Sequence, residues 1–395
     1  MKVKQYERGA SVKGERLVLI ILIDALGYRI VKETKFLDGF VKPANPIRTI
    51  FGYSSAAIPS LLTGALPEAH GHFSMYLRDP ENSPLKKDRW IIRLFGEWMK
   101  RPWFLKKRLT PRLIRRGITG YFSLYEIPSE LLSEWDLCQK RSLFKPGGIP
   151  GFPTVIDELA ERRTPHRIWD WSVPEERALP ELRREVSQGK LPFLFFYTPG
   201  LDSIMHMYGT RTEVVQKALR NWDTTIRELV AEGEKHYREV RLFVFGDHGM
   251  ADVADAHDLW ARLPVIGPPK KRGTLYFLDS TMARFWFDSD AERRRTVEIL
   301  SEEGFGRCLS IEEEKSLGVH FPDGRYGELT YLADAGQLIV PSFMGWEKIA
   351  GMHGYHPDDV DSDTTLLTNT NVDHPADIRG FSDLLKREAL AFSRG

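Results

Sequence analysis

The sequence LVLIILID at residues 17–24 is an uninterrupted aliphatic run that ends in an aspartate. A run of this kind predicts a strand buried on both faces of a parallel sheet. Two further apolar runs, at residues 193–197 and 241–246, have the same character and lead into Asp202 and Asp247. Helical patterns separate the three runs. The chain is therefore predicted to form an α/β fold with a doubly wound, mostly parallel central sheet flanked by helices.

Carboxylates and imidazoles follow these predicted strand ends or stand in a glycine-flanked loop. The set comprises Asp24, Asp202, His206, Asp247, His248 and His353. Open α/β sheets bind ligands beyond the carboxyl ends of their strands, so we expect the acidic groups along one edge of the sheet. Such side chains are the ligands that Zn²⁺ and similar divalent ions prefer. Asp24 taken alone could equally cap the helix that follows it.

The stretch TIFGYSSAAIPSLLTG at residues 49–64 has hydroxyl residues ahead of a helical apolar pattern and a Thr-Gly stop. It predicts a turn that leads into a short helix. A hydroxyl at the start of a helix lies where free backbone N–H groups and the helix dipole favour negative charge, which suits a nucleophile that attacks a phosphate. The alternative is that Ser54 or Ser55 only caps the helix.

Composition excludes several classes of protein. With 395 residues and 42% hydrophobic content, the chain can bury one large core, with or without a cap. A net charge of +1 indicates no nucleic-acid partner, and Cys138 and Cys308 form neither a metal motif nor a disulfide framework. Residues 1–15 lack the apolar core of a signal peptide, and the longest apolar run is too short to span a bilayer. We therefore expect a cytoplasmic protein, whose oligomeric state the sequence leaves open.

Two segments interrupt the core pattern of what we take to be a single catalytic domain over residues 1–395. Residues 75–150 are rich in Arg, Lys and Trp and are predicted to form an inserted, mostly helical cap. Basic and aromatic residues at 98–116 could hold a polyanionic substrate or contact an anionic membrane, although a solvated helical face explains them more simply. Residues 253–345 are predicted to form a second, less regular insertion near the site.

Taken together, these motifs resemble the alkaline phosphatase superfamily, and most closely its type I phosphodiesterase/nucleotide pyrophosphatase branch. The matching pieces are residues 23–27, 54–64, 66–71, 199–202 with His206, 246–250 and 352–355. They occur in the family's order and extend over most of the chain, whereas the two interrupting segments match the family poorly.

The resemblance implies a hydrolase of phosphate esters that uses two divalent metal ions, most naturally Zn²⁺ and alternatively Mn²⁺. One ion would be held by the nucleophile and by Asp24, Asp247 and His248. The other ion would be held by Asp202, His206 and His353. The family's nucleophile stands ten residues before the glycine of the Thr-Gly stop, which selects Ser54 and implies a phospho-serine intermediate.

Departures from the family pattern leave alternatives open. The family's nucleophile is usually Thr followed by Phe-Pro-Asn, and its oxyanion-holding Asn has no clear counterpart here beyond Ser74. Ala56 and Ile58 argue against a sulfatase. We expect phosphodiesters or pyrophosphates to be the substrates, and the basic, aromatic cap favours large or lipid-linked ones. A phosphomonoesterase with a guanidinium such as that of Arg78, a phosphotransferase, or a non-catalytic protein that binds an anionic ligand are the alternatives.

Overall fold

The computed structural model describes residues 13–88, 102–263 and 274–391. Its strands are β1 Gly14–Ile23, β2 Pro46–Ile47, β3 Tyr76–Arg78, β4 Trp135–Leu137, β5 His166–Trp169, β6 Phe193–Thr198, β7 Tyr237–Phe245, β8 Ala251–Asp252, β9 Asp255–His257, β10 Thr274–Leu278, β11 Met282–Phe287, β12 Gly306–Cys308, β13 Leu329–Ala333, β14 Gln337–Ile339, β15 Gly351–Met352 and β16 Thr364–Thr368. Its α-helices are α1 Tyr28–Thr34, α2 Ser54–Thr63, α3 Pro67–His70, α4 Pro102–Arg115, α5 Val155–Glu161, α6 Glu175–Gln188, α7 Gly200–Tyr208, α8 Glu213–His236, α9 Leu259–Arg262, α10 Asp290–Ser301, α11 Ile311–Ser316 and α12 Gly380–Leu390.

The aliphatic run at residue 17 forms β1, which lies in the middle of a six-stranded sheet. The strand order is β2-β16-β7-β1-β6-β5. Strands β7, β1, β6 and β5 are parallel, and Ile20 of β1 is in register with Phe195 of β6 and Phe243 of β7. Strands β16 and β2 complete one edge in antiparallel pairings. The predicted mostly parallel central sheet is confirmed.

Every side chain at residues 17–23 is fully buried, because the sheet is covered on both faces. The odd-numbered residues of this run pack with α6 and α8, through residues such as Val186 and Ile226. The even-numbered residues pack with α2 and α12, through residues such as Leu61 and Leu384. Full burial of one Leu or Ile side chain stabilises the fold by about 1.5–3 kcal/mol, so alternating polar residues could not take their place.

A second sheet lies in the segment 253–345, which we predicted to be less regular than the core. Strands β10, β11, β13 and β12 form an antiparallel four-stranded sheet in that order. Side chains from this sheet share one hydrophobic cluster with residues of the predicted cap, including Leu109, Leu113 and Trp135. The predicted cap and the predicted second insertion therefore share a hydrophobic core.

The predicted cap contains less helix than its composition suggested, within the part that the structure describes. Helix α4 has 14 residues, 3₁₀ helices lie at Lys86–Asp88 and Ser129–Glu134, and the short strands β3 and β4 pair with each other. Much of the remainder is loop. Trp98, Lys100 and Arg101 lie outside the described residues. Helix α4 is amphipathic, which favours a solvated helical face as the explanation of its positive charge. Membrane contact through residues 98–116 stays a prediction. None of the described helices is long and apolar enough to cross a membrane.

Candidate active site

The parallel central strands bring the predicted acidic residues to one edge of the sheet. Asp24 directly follows β1, and its backbone N–H donates to the carbonyl of Thr198 at the end of β6. Asp247 follows β7 by two residues. Asp202 and His206 lie on α7, which begins just after β6, with one turn of helix between them. The carboxyl ends of parallel strands lie at the same edge of a sheet. This explains why three aspartates that are remote in sequence converge.

The first group of side chains surrounds Ser54 at the start of α2. The Ser54 hydroxyl oxygen lies 3.0 Å from His248 Nε2 and 3.5 Å from Asp24 Oδ1. The same His248 nitrogen lies 3.4 Å from Asp24 Oδ1 and 3.3 Å from Asp247 Oδ2. His248 Nδ1 is 2.9 Å from the carbonyl oxygen of Gly249, so Nδ1 carries the proton and Nε2 is free to bind a ligand.

The second group consists of Asp202, His206 and His353. Asp202 Oδ1 lies 3.2 Å from His206 Nε2 and 3.5 Å from His353 Nε2. His206 Nδ1 is hydrogen-bonded to the carbonyl oxygen of Gly351 at 2.8 Å, a contact that orients the ring and leaves Nε2 facing the group. Burial lowers the pKa of His206, but the adjoining Asp202 carboxylate outweighs it, so the pKa is raised overall.

The two groups adjoin each other. The imidazole rings of His248 and His353 stack with centroids 3.8 Å apart. Asp202 takes part in two sets that each place their ligand atoms within 4.8 Å of one another, with His206 and His353 in one set and with Asp24 and His248 in the other. The structure thus brings together all of the side chains that the sequence singled out, and Asp202 stands between the two groups.

The chemistry of this cluster fits bound cations. Asp202 Oδ1, Asp247 Oδ2 and His353 Nδ1 are buried and have no hydrogen-bond partner among the described residues. Burial, followed by the charges of Asp247 and Asp202, raises the pKa of Asp24 well above its ordinary value. Burial and the neighbouring imidazoles lower the pKa of His353 well below its ordinary value. Converging carboxylates without a cationic partner are unfavourable in a buried site, and divalent ions at these positions would relieve that cost.

The geometry separates Ser54 from Ser55. Gly52 has a φ of 122°, a left-handed conformation that favours glycine, and it turns the chain into α2. Ser54 is the first helical residue and presents its hydroxyl to the cluster. Ser55 donates its hydroxyl to the carbonyl oxygen of Phe73 at 3.2 Å. The first backbone N–H groups of a helix have no partner within it, so the Ser54 side chain stands beside a region that attracts anions.

Several supporting contacts were missed by the sequence reasoning. The Tyr197 hydroxyl donates to Asp24 Oδ2 at 2.5 Å, which orients that carboxylate. The backbone N–H of Ala25, a residue in the left-handed region with a φ of 60°, donates to Asp247 Oδ1 at 3.2 Å. No motif marks these residues, but Tyr197 lies in the apolar run before Asp202, where an aromatic hydroxyl was a weak signal.

A cavity of about 480 Å³ adjoins the cluster. Its aromatic lining residues are Tyr53, Tyr76, Tyr121, Tyr125, Phe144, Trp171 and Tyr197. Within the described chain, no Lys or Arg side chain lines it. Arg78, considered above as a source of a guanidinium, is exposed and is not part of the lining.

Part of the cavity lining comes from the predicted second insertion, residues 253–345. The turn between β10 and β11 contains Asp279 and Thr281. The Thr281 hydroxyl lies 2.8 Å from the hydroxyl of Tyr53 and donates to the carbonyl oxygen of Gly354 at 3.1 Å. Burial raises the pKa of Asp279, although the adjoining Arg284 guanidinium offsets part of the rise. This turn therefore supports the residues next to Ser54 and His353 on both sides.

The remaining histidines that stand near the motifs have other partners. His70 Nε2 lies 2.9 Å from the hydroxyl of Ser60, and His257 Nε2 lies 2.6 Å from Gln337 Oε1. His356 lies beside Glu313. None of these histidines joins the two ligand groups in the described structure.

Three solved structures share this fold at low sequence identity. The murine ectonucleotide pyrophosphatase / phosphodiesterase 5 superimposes with a TM-score of 0.66 at 13% identity, covering 95% of each chain. The human protein of that name gives 0.65 at 13% identity with the same coverage. An inactive form of the murine protein in complex with AMP gives 0.63 at 14% identity, again covering 95% of each chain. No curated protein matches the chain significantly in sequence.

The family model for type I phosphodiesterase / nucleotide pyrophosphatase matches residues 18–356, which include every member of both ligand groups. The match extends over far more than half of the chain, and the structural likeness gives the same fold. The match to this family supports phosphoester hydrolysis as the activity. The chain belongs to the type I phosphodiesterase / nucleotide pyrophosphatase family.

Proposed function

We propose that the protein is a two-metal phosphodiesterase with Ser54 as its nucleophile. One observation carries the proposal: the Ser54 hydroxyl, 3.0 Å from His248 Nε2, stands at the start of α2 inside a cluster of three aspartates and three histidines. A hydroxyl so placed faces both the anion-attracting end of a helix and a group of metal-type ligands.

Two sets of side chains are proposed to bind the two ions. Asp24, Asp247 and His248 would hold one divalent ion beside Ser54, and Asp202, His206 and His353 would hold the second, with Asp202 also within reach of the first. Bound there, the ions supply positive charge that lowers the pKa of a hydroxyl and neutralises phosphoryl oxygens. The mixture of carboxylate and imidazole ligands suits Zn²⁺ best and also accepts Mn²⁺.

The Ser54 hydroxyl releases its proton to solvent and its oxygen attacks phosphorus; the bond to the leaving ester oxygen breaks as the phospho-serine forms, and that oxygen takes up a proton from solvent and leaves as an alcohol. A water molecule then attacks phosphorus and releases one proton, the bond between phosphorus and Ser54 Oγ breaks, and Oγ takes up a proton, which restores the hydroxyl. The free N–H groups at the start of α2 stabilise the phosphoryl charge during both steps. Tyr197 keeps the Asp24 carboxylate oriented throughout.

The lining of the cavity favours diesters over monoesters. A phosphate monoester carries a second negative charge, which proteins usually bind with a guanidinium or ammonium group. The described lining offers aromatic rings and no such cation. The AMP bound to the inactive murine relative supports a phosphorylated ligand in this fold, and a nucleotide moiety is one candidate for the ester group.

Turnover of bis-p-nitrophenyl phosphate and p-nitrophenyl phosphate by the Zn²⁺- or Mn²⁺-loaded protein tests the proposal. We expect the diester to be hydrolysed faster, activity to disappear with a chelator and return with metal, and Ser54→Ala to abolish turnover. Ser55→Ala is the matched control, because its hydroxyl is directed to the carbonyl of Phe73. An active Ser54→Ala variant would remove Ser54 from the mechanism. An inactive wild type that still binds the diester would favour a binding protein, and phosphate transfer to an acceptor without net release would favour a phosphotransferase.

A further inference from the structure

A buried polar cluster on the cavity wall takes no part in the proposed mechanism. It consists of Ser74, Asp279 and Arg284, whose exposed fractions are 1%, 2% and 0%. Arg284 Nε donates to Asp279 Oδ2 at 2.9 Å, and its Nη2 donates to the Ser74 hydroxyl oxygen at 3.1 Å. Its Nη1 donates to the carbonyl oxygen of Tyr76 at 2.9 Å. Three hydrogen bonds therefore hold the guanidinium in one orientation.

The arrangement exposes only part of the cluster to the cavity. Ser74 and Asp279 line the cavity, whereas Arg284 is not part of the lining. The Ser74 hydroxyl donates to Asp279 Oδ1 at 3.3 Å, so each carboxylate oxygen accepts one hydrogen bond from within the cluster. Carboxylate and hydroxyl oxygens have further lone pairs, so this wall presents hydrogen-bond acceptors to whatever occupies the cavity. A buried ion pair adds little to stability over apolar residues, so stability alone is a weak reason for it.

Aromatic rings form another part of the cavity lining. Tyr121 and Trp171 meet edge to face with centroids 5.2 Å apart, and Phe144 stacks on Tyr197 at 5.3 Å. A volume of about 480 Å³ admits a ring-sized group. Aromatic faces pack against the apolar face of a ring, while a few convergent polar groups fix its orientation.

We propose that Ser74 and Asp279 form a hydrogen-bonding subsite for an uncharged, hydroxyl-bearing group of the substrate. The substrates are then phosphodiesters in which a sugar or polyol ring occupies the cavity between the acceptor wall and the aromatic rings. This inference rests on the proposed phosphodiesterase function and narrows its substrate class. A site built to bind hydroxyls rejects analogues without them, because its buried acceptors are then left unpaired.

Two diesters with the same leaving group test the subsite. In the first, p-nitrophenyl phosphate is esterified to the C6 hydroxyl of glucose; in the second, it is esterified to cyclohexylmethanol, which has a similar ring and no hydroxyls. We expect the wild-type kcat/KM to favour the glucose ester by about 100-fold or more. Equal kcat/KM values for the two esters would overturn the proposal.

Ser74→Ala should lower kcat/KM for the glucose ester by about 10–100-fold and leave the cyclohexylmethyl ester within about twofold. Ser83→Ala is the matched control, because Ser83 is similarly buried, with 5% exposed, and does not line the cavity. Asp279→Asn, which keeps the size of the side chain, should produce the same selective loss. An equal loss on both esters would overturn the proposal, since it would place Ser74 against the phosphoryl group or give it a purely structural role.

Calorimetric binding of both diesters to the zinc-loaded Ser54→Ala variant separates this proposal from the proposed function. Selective binding of the glucose ester without turnover by the wild type would support the subsite and refute the phosphodiesterase. Hydrolysis of both esters at equal rates, with equal binding, would support the phosphodiesterase and refute the subsite.

Discussion

The edge of the central sheet and the wall of the cavity meet at Ser54, but they are built differently. The sheet edge draws its polar residues from the ends of parallel strands, where Asp24 follows β1 and Asp247 follows β7. The cavity wall joins Ser74, which precedes β3, to Asp279 in the turn between β10 and β11, two residues 205 positions apart. The positions of the ligand side chains therefore depend on the central sheet, whereas the shape of the cavity depends on how the segments outside that sheet pack.

The largest expected effect tests whether one residue serves both ligand groups. Asp202→Asn should remove a ligand common to the two sets, so bound zinc should fall from two ions towards none. The kcat/KM should fall by more than about 100-fold, which is the upper end of the loss seen when a residue that only orients a metal ligand is replaced. Zinc content by mass spectrometry and diester turnover provide the measurements. Glu347→Gln, which alters an exposed carboxylate on the cavity lining, is the control. Full zinc occupancy in Asp202→Asn would contradict the shared role.

The next effect belongs to the cavity wall and should appear in stability. Arg284→Met should lower the free energy of unfolding by about 3–5 kcal/mol, because it leaves the buried Asp279 carboxylate without its partner. Urea denaturation measures the loss. The double variant Arg284→Met with Asp279→Asn should recover part of it, since no buried charge is then unpaired. A double variant no more stable than Arg284→Met would show that charge pairing is not the cause.

A smaller effect is expected at the support of the sheet edge. Tyr197→Phe removes the hydroxyl that donates to Asp24 and keeps the ring that stacks on Phe144. Zinc affinity should fall by about 10–100-fold, as for other groups that orient metal ligands. Competition with a chromogenic chelator measures the affinity. Tyr237→Phe, whose hydroxyl donates to the carbonyl of Leu191 away from the site, should leave it unchanged. Equal zinc affinity in both variants would contradict the role of Tyr197.

The smallest effect concerns the helix that carries Ser54. His70 Nε2 contacts Ser60 of α2, and His70 Nδ1 accepts from the backbone N–H of His72. Burial, aided by His72, lowers the pKa of His70 from 6.5 to about 3. The folded state disfavours the protonated ring. The contribution of His70 to the free energy of unfolding is therefore fully present above pH 6.5 and is lost as the pH falls from 6.5 towards 3.

Lowering the pH from 7 to 5 should reduce the free energy of unfolding by about 1–2 kcal/mol through the protonation of His70 alone. Urea denaturation at both pH values, compared between the wild type and His70→Gln, isolates the contribution from that of the other histidines. The same pH dependence in both proteins would show that His70 does not titrate in this range.

Much of the fold and of the candidate site was predictable from local patterns. The run at residues 17–23 indicated a strand covered on both faces, and its partners at β6 and β7 had the same signal. The convergence of Asp24, Asp202 and Asp247 followed from parallel strands. The four-stranded sheet in residues 253–345 was less visible, because its short antiparallel strands carry a weaker pattern than long buried runs.

The sequence by itself determined the central strands, the polar residues that follow them and the family to which the chain belongs, since these depend on neighbours within a few positions. The spacing within the family motif already selected Ser54 over Ser55. Tertiary structure decided the contacts of the two hydroxyls, since Ser54 lies beside His248 whereas Ser55 donates to the carbonyl oxygen of Phe73. It also decided that Ser74, Asp279 and Arg284 meet. Ser74 lies 205 positions from Asp279 and 210 from Arg284, and the energy of their contacts depends on burial and pairing that no local pattern records.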